Sequence, residues 1–382
     1  MFGFKNANVY VEGKGIIKIC LQIENGKFSS FLDSNLLVEL KDDLIIVPGF
    51  IDEHIHGANG SDVMDGTIDD LLNISRAISR DGVTSFLATT MTMEEEKICK
   101  ALDNIHNFMK EEHDGSTILG VHLEGPFISK KYCGAQDPSN IQKPSIAAIE
   151  KYISASGQKI KMVTLAYEEC EDGFIKYLNE KDIVPSIGHS DCTSDLLKKG
   201  IVEGIKSSTH TYNAMRGIHH RDIGIVGEVM LNENVYAELI CDLHHVSEDA
   251  IKLLYKCKGK DKIILITDSM EARYLNDGIY SLGGQEVFVS NETARLKDGT
   301  LAGSILRMND AIRNIQQVLN ISLEDAVDMA SINPAKNLKI HNRKGSIAIN
   351  KDADFVIVDK YLNVYATFVN GKQIYKGENY EK

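Results

Sequence analysis

Eight short apolar runs recur through the middle of the chain, with amphipathic stretches between them. They read "DLIIVPGFIDEHIH", "GVTSFLATT", "TILGVHLEG", "KIKMVTLAYE", "DIVPSIGHS", "GIKSSTHTY", "VYAELICDLHH" and "KIILITDSM". Continuous apolar runs alternating with helices indicate parallel strands covered on both faces. Eight such units suit closure into a (β/α)8 TIM barrel of the α/β class. Segments such as "IDDLLNISRAISRDG" and "LRMNDAIRNIQQVLN" carry the helical spacing that would clothe it. The competing architecture is a doubly wound open sheet. No Gly-x-Gly-x-x-Gly follows the first run, and eight units favour closure.

The two ends read differently. "NVYVEGKGIIKICLQIENGKFSSF" alternates polar and apolar residues around an Asn-Gly pair, and "KGSIAINKDADFVIVDKYLNVYATFVNGKQIYKG" does the same around Asn370. Residues 1–47 and 340–382 are therefore expected to pair into one small β-sandwich beside a barrel of residues 48–339. A strand-like excursion from Ile279 to Gly303 follows the eighth run.

What ends the apolar runs is informative, because barrels of this kind do their chemistry at the C-terminal ends of their strands. The first run ends in His54 and His56, the third in Glu124 and the fifth in His189. The sixth ends in His210, the seventh in His244 and His245, and the eighth in Asp268. On a strand, residues i and i+2 share a face, so Asp52, His54 and His56 should point the same way. Imidazoles and two carboxylates converging on one mouth form a donor set for zinc, iron, manganese or cobalt. His122 precedes Glu124 by two residues and either shares its face or supports the site by hydrogen bonding. His106 and His113 lie on or near an acidic helix and are expected to be solvated, and His341 sits in the connection to the small domain.

Charge and cysteine usage narrow the partners. A net charge of −13 disfavours nucleic acid and means that an anionic substrate needs local cations. No apolar run reaches the length of roughly 18 residues that a membrane span needs. The start "MFGFKNANVY" lacks a signal-peptide pattern. Seven scattered cysteines without a Cys-x-x-Cys fit a reducing cytoplasm.

The motifs "PGFIDEHIHG", "HLEGPFIS", "GHS", "THTYNAM", "ITDSM", "DGTLAGS" and the closing "NPAKNLKI…KGSIAINKDADFVIVD" resemble the N-acetylglucosamine-6-phosphate deacetylase family of the amidohydrolase superfamily. The likeness spans essentially the whole chain. It implies a homodimer that hydrolyses the acetamide of a phosphorylated amino sugar. It implies Glu124, His189 and His210 as ligands of a main divalent metal, with His54 and His56 available for a second and Glu124 bridging. Zinc comes first, with iron, manganese and cobalt as alternatives. Asp268 matches the family's catalytic acid/base. Ala135, Gln136, Asn213, Ala214, His245, Leu301, Ala302 and Gly303 match its substrate contacts. Arg221 matches an arginine that reaches the phosphate from the neighbouring subunit.

Two departures stand out. Many members carry a histidine where this chain has Gln136, which donates a hydrogen bond but no charge, and a second metal on His54 and His56 could supply the missing Lewis acidity. The stretch "TDSMEARYLNDG" also differs from commoner versions after the aspartate, which leaves the sugar epimer open. The alternatives are a deacetylase of N-acetylgalactosamine 6-phosphate, another amidohydrolase, or an inactive barrel homologue. A cyclic-amide hydrolase is disfavoured, because no lysine ends the fourth run at "TLAYEE".

Overall fold

The computed structural model describes residues 2–33, 37–378 and Tyr380. Eight parallel strands form its centre: Phe50–Ile55, Val83–Thr90, Thr117–Glu124, Ile160–Leu165, Val184–Ile187, Ser207–Ser208, Tyr236–Ile240 and Ile263–Ile266. They hydrogen-bond in that chain order. The ring closes just past its last strand, where the Asp268 N–H donates to the His54 carbonyl at 2.9 Å. The (β/α)8 barrel expected from the eight runs is thus present. Its strands are buried on both faces, as the unbroken burial of Val83–Thr90 illustrates.

Helices such as Ile68–Ile78, Phe174–Glu180 and Met308–Leu319 cover the outside. Several begin on a side-chain cap. Thr67, Ser145, Thr193 and Ser247 each accept a hydrogen bond from a backbone N–H in the first turn. Such caps satisfy donors that the helix itself leaves unpaired.

Below the mouth of the barrel lies a layer of buried hydroxyls. Thr209 Oγ1 lies 2.7 Å from both Thr164 Oγ1 and Ser186 Oγ, and His122 Nε2 lies 2.7 Å from Thr164 Oγ1. These groups are fully buried yet satisfy one another, so the polar filling costs little.

Two strand readings change. The first run is two strands. Leu44–Pro48 pairs antiparallel with Phe355–Asp359 in the terminal sheet, and Phe50–Ile55 opens the barrel. Gly49 makes the switch possible, because a Cβ there would sit 2.3 Å from Thr84 Oγ1. The sixth strand contracts to Ser207–Ser208, since the chain must leave the ladder early to present His210.

The terminal segments form one eight-stranded sheet, the strands of the C-terminal end lying side by side and joining those of the N-terminal end where Phe355–Asp359 pairs with Leu44–Pro48. It folds back over an aromatic core. Phe28, on one edge strand, lies 6.0 Å from Phe355, which is several strands away in the sheet order. Phe355 in turn stacks on Phe368 at 4.4 Å. The excursion after the eighth strand is a three-stranded antiparallel sheet of Gly278–Leu282, Gln285–Ser290 and Thr293–Arg295. Its apolar side packs on Met91, Met270 and Ala302 at the barrel mouth.

Candidate metal-dependent active site

Six side chains meet at the mouth around one carboxylate. Glu124 Oε1 lies 3.0 Å from His189 Nε2 and 3.0 Å from His210 Nε2. Its Oε2 lies 3.2 Å from His56 Nε2. Asp268 Oδ1 closes the other side, 3.4 Å from His54 Nε2 and 3.2 Å from His56 Nε2. Two donor groups result at the mouth, Glu124 with His189 and His210, and His54 with His56 and Asp268, and His54 also groups with His122 and Glu238. Glu124 stands between the two groups at the mouth. His189, His210 and Asp268 have φ of 48°, 30° and 48°, in the left-handed region that side chains other than glycine avoid. Backbone strain of this kind persists only where the surroundings impose it, and it concentrates at functional sites.

Hydrogen bonds behind the histidines settle which nitrogen faces inward. His54 Nδ1 is 3.1 Å from Glu238 Oε2, and His189 Nδ1 is 2.8 Å from the Tyr132 carbonyl. His56 Nδ1 is 3.3 Å from the Thr89 carbonyl. A proton on each Nδ1 leaves the Nε2 lone pairs converging on the centre, which is how ligating imidazoles are held. His54 Nε2 is buried without a hydrogen-bond partner, as a nitrogen reserved for a cation would be.

The electrostatics make the same demand. Burial opposes a charged imidazole at His56, but hydrogen bonds and charge from Asp268 and Glu124 outweigh it and push the group up to about 9. Burial also opposes the Asp268 carboxylate, yet His54 and His56 hold it down at about 2. His54, His189 and His210 likewise draw Glu124 well below the usual carboxylate range against its burial. The cluster therefore calls for positive charge, and a divalent cation answers that better than protons on imidazole. The donor chemistry fits zinc, iron, manganese or cobalt.

A cavity of about 370 Å³ opens above this floor. His56, Glu124, Ala135, Gln136, His189, His210, Asn213, Ala214, His245, Asp268, Leu301 and Gly303 line it. His54 sits beneath. The Gln136 amide is fixed in orientation, because its Oε1 accepts from the Thr92 N–H at 3.0 Å and from the Thr92 hydroxyl. Its NH2 group then points toward the mouth, 3.4 Å from His189 Nε2. His245 is braced through Nδ1 by Asp242 at 2.6 Å.

Four residues singled out in the sequence stand outside the donor groups and the cavity lining, among them Arg221, which is expected to act from a neighbouring subunit. Ala302 packs in the apolar cluster with Met91 and Leu282 rather than lining the cavity. Arg221 is exposed, outside the cavity of its own chain, with Nη1 2.7 Å from His220 Nε2. His244 is exposed. Asp52 does not join the donors; it accepts from the Thr267 hydroxyl at 2.6 Å. His122 is a support, with Nδ1 3.0 Å from the Glu53 carbonyl.

Sequence reasoning missed Glu238, Thr92, Met91, Leu282, Lys131 and Tyr132. Glu238 left a signal, since a lone carboxylate inside the apolar strand "VYAELI" is costly unless it has partners. The others are ordinary in sequence and gain meaning only from where the loops place them.

The amidohydrolase family model matches residues 45–374. The chain belongs to the amidohydrolase family. This amidohydrolase is 44% identical over 329 residues to a Lysinibacillus sphaericus protein named N-acetylglucosamine-6-phosphate deacetylase, covering 86% of this chain and 84% of that one. An Escherichia coli O157:H7 protein named N-acetylgalactosamine-6-phosphate deacetylase is 33% identical over 353 residues, covering 92% and 93% of the two chains. The crystal structure of N-acetylglucosamine-6-phosphate deacetylase from Thermotoga maritima matches with a TM-score of 0.90 and 35% identity, covering 98% of this chain and all of that one. Amidohydrolases are metal-dependent hydrolases, and this one carries two candidate metal-binding groups at the barrel mouth.

Proposed function

We propose that this amidohydrolase cleaves the acetamide of N-acetyl-D-glucosamine 6-phosphate to acetate and D-glucosamine 6-phosphate, in amino-sugar catabolism and cell-wall recycling. The observation that carries the reading is the Asp268 carboxylate, held within 3.4 Å of both His54 and His56 at the floor of the cavity. The name borne by the relative at 44% identity supports the glucosamine epimer over the galactosamine one, whose named relative stands at 33%.

Amide hydrolysis needs a nucleophile, oxyanion stabilisation and a proton for the departing amine. Glu124, His189 and His210 would hold one divalent metal, and His54 with His56 a second, zinc being the first candidate. A bound cation of this type lowers the pKa of water to roughly 7 and polarises the carbonyl. Asp268 takes the proton of the attacking water and delivers it to the sugar nitrogen as the C–N bond breaks. The first of these steps needs the Asp268 carboxylate ionised, the form that the neighbouring His54 and His56 favour against its burial. The Gln136 NH2 donates to the acyl oxygen, where negative charge develops. Ala135, Asn213, Ala214, His245 and the backbone from Leu301 through Ala302 to Gly303 hold the sugar.

The phosphate needs a cation. Lys131 is the only Lys or Arg among the described residues lining the cavity, and its ammonium is engaged by Asp191 at 2.8 Å. Arg221 of a second subunit would fill that role in a homodimer. In this reading residues 48–339 are the catalytic barrel, supported by residues 1–47 and 340–382.

The test is direct. Metal-replete protein is incubated with both N-acetylhexosamine 6-phosphates, and acetate is measured. Faster release from the glucosamine compound is expected. Release from the galactosamine compound alone would reverse the epimer assignment, and release from neither would sink the function.

A further inference from the structure

The stretch after Asp268 that departs from the common pattern, "MEARYLNDG", contains an arginine with no solvent exposure. One arm of the Arg273 guanidinium, Nη2, bonds the Asp81 carboxylate, which the Tyr274 hydroxyl also engages. The other arm, Nη1, donates to Ser269 Oγ at 3.1 Å and reaches Thr267 Oγ1 at 3.5 Å. Those two hydroxyls belong to the residues on either side of Asp268.

From there the contacts run into the first barrel strand. Thr267 donates its hydroxyl to Asp52 at 2.6 Å and its N–H to the same carboxylate at 3.2 Å. Asp52 also accepts from the His54 N–H at 3.4 Å. Ser269 Oγ donates to the Gly57 carbonyl at 3.0 Å, and the Ser269 carbonyl accepts from the His56 and Gly57 N–H groups, both at 2.9 Å. One guanidinium thus ties together the segment bearing Asp268, the segment bearing His54 and His56, and the turn ahead of the second strand.

A buried Arg–Asp pair is often only a structural element. Two observations argue for more. The second arm of the fork hydrogen-bonds the hydroxyls on either side of Asp268, and lies 4.0 Å from the Asp52 carboxylate that Thr267 also binds. Asp268 itself sits at φ 48°, a backbone state that has to be held by its surroundings.

We propose that Arg273 is a positioning residue for the hydrolysis, holding the Asp268 carboxylate in register with His54 and His56 through Ser269 and Thr267. The inference rests on the deacetylase reading of the site. The groups assigned to the sugar lie on other loops, so misplacing Asp268 should affect turnover and spare binding.

The experiment uses the full-length, metal-replete enzyme with N-acetyl-D-glucosamine 6-phosphate, reading acetate release, metal per chain and melting temperature side by side. Arg273→Lys keeps a charge for Asp81 but lacks the planar fork. Ser269→Ala removes the hydroxyl that Nη1 reaches and leaves the Arg273–Asp81 pair intact. Each should lower kcat about tenfold to a hundredfold, since a displacement near 1 Å can cost about 10²-fold. KM should stay within about twofold and metal content should match wild type. A folded variant with kcat close to wild type, or a kcat loss that merely tracks lost metal, overturns the inference. Should Arg273→Lys fail to fold, Ser269→Ala decides alone. A wild-type enzyme inert toward this substrate overturns the deacetylase reading, and the inference with it.

Discussion

At the scale of single residues, the site separates groups that do chemistry from groups that aim them. Asp268 is in the first class. General acid/base work contributes about 10²–10⁴-fold, so Asp268→Asn should lose that much kcat with KM little changed. Steady-state kinetics check this, and a variant keeping a tenth of wild-type turnover contradicts the role. Glu238 is in the second class. Its Oε2 takes His54 Nδ1 at 3.1 Å and the His210 N–H at 3.1 Å, so one buried carboxylate braces a member of each donor group. Outer partners of this kind are typically worth about 10–100-fold in metal affinity. Glu238→Gln should therefore release metal at a lower chelator concentration than wild type, as elemental analysis after dialysis would show. The six inner donors were legible because the i, i+2 spacing and the strand ends are written in the sequence. Glu238 was not, because a partner 184 positions away gives a lone acid its meaning. The partner of Asp52 was hidden for a related reason, since Thr267, just past the eighth strand, binds it from far along the chain.

At the scale of elements, strand ends matter more than strand lengths. The fifth strand stops at Ile187 so that Gly188 can pass close under its neighbour and turn out His189. A Cβ on Gly188 would lie 2.6 Å from Thr209 Cβ and 2.9 Å from Thr164 Cγ2. Neither atom can swing away freely, because both residues belong to the hydroxyl chain inside the barrel. Overpacking of this sort costs about 1–3 kcal/mol, so Gly188→Ala should lower the melting temperature of the metal-loaded enzyme. An unchanged melt would mean that the barrel interior is more yielding than these distances imply. All eight barrel strands were readable from apolar runs. The break at Gly49 was not, because both halves of "DLIIVPGFIDEHIH" are apolar and only three-dimensional pairing assigns them to different sheets.

At the scale of the whole molecule, the terminal sheet is fastened to the barrel by polar contacts as well as apolar ones. The Tyr10 hydroxyl donates to Asp328 Oδ1 at 2.6 Å. Burial pushes the Asp328 carboxyl up to about 6, and the Tyr10 bond only partly offsets it. The unfolded chain titrates this group near 3.9, so between roughly pH 4 and 6 the folded state binds the extra proton. Asp328 thus costs stability as pH rises through about 6, and the cost is full at neutral pH. Asp328→Asn should melt higher than wild type at pH 7.5, with the gain shrinking toward pH 4. An equal gain at both values would contradict the assignment. The assembly has its own test. Arg221→Ala and Asp268→Asn subunits, each nearly inactive alone, should recover activity when mixed, because one site per mixed dimer then has both groups intact. Mixed dimers that form and stay inactive would exclude a shared site. Composition and charge disfavoured nucleic acid and required local cations for any anionic substrate, but were silent on which surface meets a second copy.

Activity measured while metal is removed and restored bears most directly on the two donor groups and Asp268. The protein is stripped by a chelator, reloaded stepwise with zinc, and assayed for acetate released from N-acetyl-D-glucosamine 6-phosphate at each metal content. Acetate release should fall with the metal, return with it, and stay absent in Asp268→Asn carrying a full metal complement. Undiminished acetate release from stripped protein would contradict a metal-dependent site at this mouth, and full activity in metal-loaded Asp268→Asn would contradict the role of its carboxylate.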